Sequence, residues 1–386
     1  MKIFRIILCA TTLLLCLCAS SCDGEIKIET VNPPDTSGSS GKGQTVSAPH
    51  IFVAKDGFYK VYRIPAIVKS KQGTLLAFCE GRNGTGDTGD IDLVLRRSTD
   101  GGSEWSSLIV VWDDGENTCG NPVPIVDMNT GRIHLLMTWN LGADGTTTTE
   151  FDNGKSTDTR RVWYTYSDDD GVTWNTPVEI TNQAKTAQMG WYATGPCHGI
   201  MLEKGEHAGR LVVPCDCHES SLGRSHALYS DDNGTTWNLS NRIAGNECCI
   251  AEMEDGRLIM SIRNGTGSRG LSYSSDGGAT WTDPVYNEGL PDPGCQGSII
   301  AATYQEKSLL ISCNPSNSSA RNNLRLKSSQ DGGETWNDGY AVWPGAAAYS
   351  DVLALDTENV GVLYENGSSN AYQRISFYSI KSIFLF

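Results

Sequence analysis

The chain has 386 residues, with 45 acidic side chains against 30 Lys and Arg and a formal net charge of −15. That balance excludes a general affinity for nucleic acid or anionic membrane surfaces, so an anionic ligand needs a local positive cluster. Only 19% of residues are charged and glycine occurs 42 times, as expected of an all-β chain with many turns.

Lys2 and Arg5 precede an apolar run over 6–17, which is too short to span a bilayer comfortably and ends in Cys18-Ala19-Ser20-Ser21-Cys22. Residues 1–22 are predicted to be an export signal. A Cys directly after small residues resembles the lipobox of bacterial lipoproteins, with Cys22 as the lipidated residue; ordinary signal-peptidase cleavage nearby is the alternative. Residues 23–49 are polar and rich in Gly, Ser and Pro, and read as a flexible tether. The expected location is outside the cytoplasm, as a periplasmic, outer-membrane or cell-surface lipoprotein. Four of the thirteen cysteines fall in the leader, which leaves nine. Cys215-x-Cys217 and Cys248-Cys249 lack zinc-like spacing and only six His occur, so neither a metal nor a cofactor is predicted. The nine are expected to be chiefly free, buried thiols, with room for one disulfide.

From residue 50 onward one phrase, S-x-D-x-G-x-T-W, recurs five times: STDGGSEW (98–105), SDDDGVTW (167–174), SDDNGTTW (230–237), SSDGGATW (274–281) and SQDGGETW (329–336). The first copy carries Glu104 where the others have Thr. An alternating strand-like run precedes each copy, and then Asp, Asn and Gly supply turn chemistry. The Trp is expected to cap the turn, its N–H finding a backbone acceptor. No copy completes an EF-hand loop, so the turns read as structural. The spacing, roughly 45 to 70 residues, is that of propeller blades. Residues 50–386 are therefore predicted to form an all-β, six-bladed β-propeller, with one blade lacking the phrase.

Three arginines sit in unusual settings. Arg63 lies in Val61-Tyr62-Arg63-Ile64-Pro65, a strand expected to end at Pro65. Arg263 ends the apolar run 258–262, and Arg321 opens Arg321-Asn322-Asn323-Leu324. A guanidinium in apolar sequence needs a partner, because a buried unpaired charge is costly. One alone reads as a core ion pair. Three, in separate repeats of a cyclic architecture, point to a carboxylate clamp, for which Arg suits better than Lys.

Tyr62-Arg63-Ile64-Pro65 together with the repeated turn phrase resembles the bacterial and animal exo-sialidases (neuraminidases), over nearly all of the mature chain. Further motifs follow in family order: Glu80-Gly81-Arg82, Gly195-Pro196-Cys197-His198-Gly199, Asn246-Glu247-Cys248, Ser261-Ile262-Arg263-Asn264, Tyr349-Ser350-Asp351 and Leu363-Tyr364-Glu365. The resemblance implies that Arg63, Arg263 and Arg321 grip the carboxylate of sialic acid and that Glu365 holds Arg63. It implies Tyr349 as nucleophile, Glu247 as its base, and Asp87 as acid/base on a mobile loop over 84–89, with Asp90 its rival. Trp191, Tyr192 and His198 are candidates for lining the pocket.

The residue types suit that chemistry. Sialic acid carries a carboxylate on its anomeric carbon, which repels a carboxylate nucleophile, so a neutral phenol is the better attacker. A phenol with a pKa of about 10 needs a base in contact. The implied substrates are sialylated glycoproteins, glycolipids or oligosaccharides, with no nucleic-acid partner and a monomer as the default state. The alternatives are a trans-sialidase or anhydro-product-forming enzyme, a hydrolase preferring deaminated sialic acid, and a non-catalytic sialic-acid-binding propeller.

Overall fold

The computed structural model describes residues 50–56, 58–144 and 151–386. The export signal over 1–22, lipidation at Cys22 and the tether over 23–49 all lie outside the described residues. The fold is all-β, of the propeller type: antiparallel four-strand units follow one another along the chain.

The first unit is Val61–Lys69, Leu75–Arg82, Ile91–Ser98 and Ile109–Trp112, paired in that order. The second is Thr118–Val126, Ile133–Asn140, Arg161–Ser167 and Val178–Glu179. Met189–Thr194, Leu211–Glu219, Leu222–Ser230 and Asn238–Leu239 follow, then Cys248–Glu252, Leu258–Ile262, Gly267–Ser274 and Val285–Asp292. Ser298–Tyr304, Lys307–Pro315 and Asn322–Ser329 pair onward to the first part of the long strand Tyr340–Ala354. The second part of that strand starts another unit with Asn359–Gly367 and Arg374–Lys381. His50–Val53 completes it by pairing with Arg374–Lys381, so the first strand of the described chain finishes the last sheet.

The core lies between neighbouring units, because each sheet buries both faces. Val123, Leu136 and Val162 pack on Leu211, Val213 and Leu228 of the next unit. Leu353, Leu363 and Phe377 of the last unit pack on Tyr62, Ile67 and Val94 of the first. Each large aliphatic side chain buried this way contributes about 1.5–3 kcal/mol.

The repeated phrase forms the turn between the third and fourth strands of its unit. The leading Ser Oγ accepts a glycine N–H four residues on, at 2.8 Å for Gly102 and 2.9 Å for Gly171, Gly234, Gly278 and Gly333. In four copies the Asp carboxylate takes both the Thr N–H and the Thr hydroxyl. Glu104 offers only its N–H, to Asp100 at 2.9 Å. Gly102 has φ +96°, and a Cβ there would stand 2.3 Å from the Phe377 ring, so the turn admits no larger residue. Trp105, Trp281 and Trp336 donate to backbone carbonyls at 3.1, 3.0 and 3.0 Å. The expected acceptor is missing for Trp174 and Trp237, whose indole N–H groups are buried with no partner among the described residues. All nine described cysteines are free and buried, and none forms the disulfide for which the sequence left room.

Candidate active site

The site grows from two irregularities in the innermost strands. Val61–Lys69 does not end at Pro65 as the sequence suggested. It continues through it with a register shift between Arg63 and Ala66, and Ile64 sits at φ +62°. Proline cannot donate to the ladder, so the strand bulges there and re-aims Arg63. A second register shift falls between Ala347 and Ser350 and frees the Tyr349 backbone. Glu365, fully buried, joins the two. Its Oε1 takes the Ile64 N–H at 2.9 Å and its Oε2 the Tyr349 N–H at 3.1 Å.

Glu365 also accepts from Arg63 Nε at 2.9 Å and from Nη2 at 3.2 Å, as the resemblance implied. Arg63 lies over two aromatic faces, 4.8 Å from the Tyr349 ring centre and 4.3 Å from that of Tyr372. Arg263 Nη1 donates to Glu247 Oε2 at 2.7 Å and to the Tyr349 hydroxyl at 3.2 Å. Arg321 Nη1 donates to the Tyr372 hydroxyl at 2.9 Å, and its guanidinium stands 5.6 Å from the Tyr349 ring. The three arginines thus meet around one tyrosine. Against Glu247 and Glu365 they leave one net positive charge for an incoming anion.

The Tyr349 hydroxyl donates to Glu247 Oε1 at 2.5 Å. Burial first, and the Glu247 charge second, push the phenol well above its ordinary pKa, while Arg263 and Arg63 pull against them. The proton therefore stays on Tyr349 at rest, with its acceptor already in contact.

Asp87 is the exposed member of the group, with 60% of its side chain open to solvent. Its Oδ1 lies 2.7 Å from Arg82 Nη1 and 3.8 Å from Arg63 Nη1. Burial alone would raise the carboxyl, but the Arg82 and Arg63 charges outweigh it and hold it below the ordinary value. Asp90 is turned away and accepts from Asn83 at 2.9 Å.

Several residues take roles that the sequence alone does not assign. Arg82 is anchored by Glu80 at 2.8 and 2.5 Å, and Glu80 accepts the Asn121 N–H at 2.8 Å. The two-residue spacing within Glu80-Gly81-Arg82, which puts both on one face of a strand, is the signal that could have revealed the pair. Asp216 is buried, and desolvation, with the Glu247 charge second, pushes its carboxyl well above the ordinary value. Tyr372 has no motif around it. Two pocket-lining expectations are corrected. Tyr192 is fully buried, bonded to His226, and His198 lies beneath the site, bonded to Asp351 at 2.7 Å. Trp191 is half-buried and lies flat on Arg160, 3.9 Å from its guanidinium carbon.

Known proteins carry the same design. Residues 73–362 match the BNR repeat-like domain. A sialidase of Bacteroides fragilis (strain YCH46) is 31% identical over 359 residues, covering 86% of this chain and 64% of the relative, so the chain spans less than two thirds of that protein. An exo-alpha-sialidase of Arthroderma benhamiae is 35% identical over 297 residues, 71% of this chain and 68% of the relative. Among solved structures, the Hadza microbial sialidase Hz136 superposes with a TM-score of 0.79 at 28% identity, over 88% of this chain and 69% of that one. With Tyr349, Glu247 and three arginines from separate units gathered at one place, and with these relatives matching across most of its length, the chain belongs to the sialidase family.

Proposed function

We propose that the chain is a retaining exo-α-sialidase that removes terminal α-linked sialic acid from glycoproteins, glycolipids or oligosaccharides. The observation that carries this reading is the 2.5 Å contact between the Tyr349 hydroxyl and Glu247 beside three guanidiniums. Arg63, Arg263 and Arg321 clamp the substrate carboxylate and hold the anomeric carbon above Tyr349. The phenol attacks that carbon and its proton passes to Glu247. The bond to the leaving oxygen breaks as that oxygen takes a proton from Asp87. In the second half, Asp87 takes a proton from water, the resulting hydroxide attacks the same carbon, and Tyr349 leaves and recovers its proton from Glu247.

Asp87 must be protonated to act first, yet at rest two guanidiniums favour its charged form. The substrate carboxylate supplies the correction: once Arg63 is neutralised by it, the pull on Asp87 weakens and its carboxyl rises. Substrate binding and acid readiness are thus coupled through Arg63.

We infer further that the four-strand units close as a six-bladed ring. The packing of the last unit on the first, and the completion of the last sheet by His50–Val53, support closure. The turn phrase is absent from that last unit, which fits one blade lacking it. The leader and Cys22 support export as a tethered lipoprotein, acting as a monomer on external glycans.

Release of 4-methylumbelliferone from its α-sialoside by the mature chain tests the activity. Tyr349→Phe is expected to abolish most turnover while sialic-acid binding persists, and Asp87→Ala to cost about 10²–10⁴-fold. Proton NMR of the first-formed sugar tests the stereochemistry. The α-anomer supports the tyrosyl intermediate, the β-anomer sinks it, and an anhydro product moves the reading to intramolecular transfer.

A further inference from the structure

We propose that His198, Cys249 and Asp351 form a zinc-binding site in the layer beneath Tyr349 and Glu247. Cys249 stands two residues beyond Glu247 and Asp351 two residues beyond Tyr349, so each follows a reactive residue by one strand repeat. All three are buried, and their ligand atoms lie within 4.8 Å of one another. Thiol, imidazole and carboxylate together suit zinc, and suit calcium or magnesium poorly.

Surrounding groups already orient the three. Asp351 takes the N–H groups of Ile67 at 2.9 Å, His198 at 3.1 Å and Val352 at 3.1 Å, and its Oδ1 meets His198 Nδ1 at 2.7 Å. The Cys249 sulfur accepts the Ile299 N–H at 3.4 Å. The backbone N–H groups are outer partners of the kind that fix metal ligands ahead of the ion, whereas the Asp351–His198 bond joins two of the ligands and is given up, with its proton, when the ion binds.

One of the three ligands, His198, also borders a cavity. That cavity, of about 490 Å³, opens at the far end of the same strands, with Glu203, Glu252, Glu254 and Asp356 around it. Lys204 lines it too and pairs with Glu254 at 3.1 Å, so four carboxylates against one ammonium leave the approach net acidic and favourable to cations. Binding displaces the protons of the Cys249 thiol and of His198, and no oxidant or reductant is needed. The ion would tie together the loop after Met189–Thr194 and the strands Cys248–Glu252 and Tyr340–Ala354, three units that meet under the reactive pair. Sequence spacing could not show this, because the ligands are far apart in the chain.

The test is a Zn²⁺ titration of the chelator-dialysed chain against a chromophoric competitor. One tightly held equivalent is expected, weakened at least about 10-fold by His198→Gln and by Cys249→Ser. His218→Gln, which alters a separate His–Asp pair at 2.6 Å, should leave it unchanged. Co²⁺ loading of the unaltered chain should give a thiolate-to-metal absorption band, which decides the matter if either variant fails to fold. No held equivalent, no such band, or binding that survives both substitutions overturns the site. None of these readouts depends on sialidase turnover, so failure here leaves the proposed function standing.

Discussion

Glu365, fully buried, and Arg63, whose side chain is 11% exposed, form a forked pair, with Nε and Nη2 of the guanidinium 2.9 and 3.2 Å from the two carboxylate oxygens. The same carboxylate holds the N–H groups of Ile64 and Tyr349. One side chain therefore fixes both the Arg63 guanidinium and the Tyr349 backbone. It also compensates the bulge, since a β-branched residue at positive φ costs about 1–3 kcal/mol.

Glu365→Ala should accordingly destabilise the fold by about 3–5 kcal/mol, because it strands a buried guanidinium and two backbone donors. Urea unfolding measures this. A loss below about 1 kcal/mol would show that water or a neighbour replaces the carboxylate.

Arg63→Lys keeps the charge and loses the fork. Hydrogen bonds to charged groups contribute about 1.5–3 kcal/mol, so kcat/KM should fall by about 10- to 100-fold. Unchanged kinetics on a sialoside would remove Arg63 from the clamp.

Tyr372→Phe keeps the ring over Arg63 and deletes the hydroxyl that receives Arg321 at 2.9 Å. The expected result is a KM raised by about 2- to 10-fold with kcat nearly constant. A fall in kcat with KM unmoved would instead place Tyr372 in the chemical step.

Two contributions to stability should be lost in acid. Burial, with the Arg132 charge second, lowers the His134 pKa from 6.5 to about 4. Burial, with Arg242 second, takes His226 from 6.5 to about 3. Both values are depressed in the fold, so their contribution is present above pH 6.5 and is lost as pH falls toward those values. Asp331, held at about 2 by the Thr335 hydroxyl and backbone N–H, adds a loss below its ordinary 3.8. Asp92, raised to about 6, and Asp216 act in the opposite sense by taking up protons in the fold, so the histidine contribution is read by difference: between pH 6.5 and 4.5 a His134→Gln variant should lose less Tm than the parent, and an equal loss would contradict the His134 assignment.

Much of the site is legible in the sequence. The turn phrase sets the repeat, because Ser, Asp, Gly and Thr at fixed offsets satisfy one another's hydrogen bonds locally. Charge in apolar settings and family motif single out Arg63, Arg263, Arg321, Tyr349, Glu247, Glu365 and Asp87, and the fold brings them together. Tyr372 and Asp216 escape such reading, since each gains its significance only from neighbours on other strands. Tyr192 turns to the core on a face whose partner strand alternation does not name, and His198 lies in the loop beyond that strand, where alternation does not apply.

By itself, then, the sequence determined the β architecture, the hairpin turns and the chemical types available at the strand ends, all of which rest on interactions within a few residues. Tertiary structure decided the rest: that a bulge at Pro65 turns Arg63 inward, that Glu365 binds two distant backbones, and that His198 and Cys249 converge under Tyr349. Those outcomes depend on contacts between residues such as Ile64 and Glu365, 301 positions apart, and local propensity carries no information at that range.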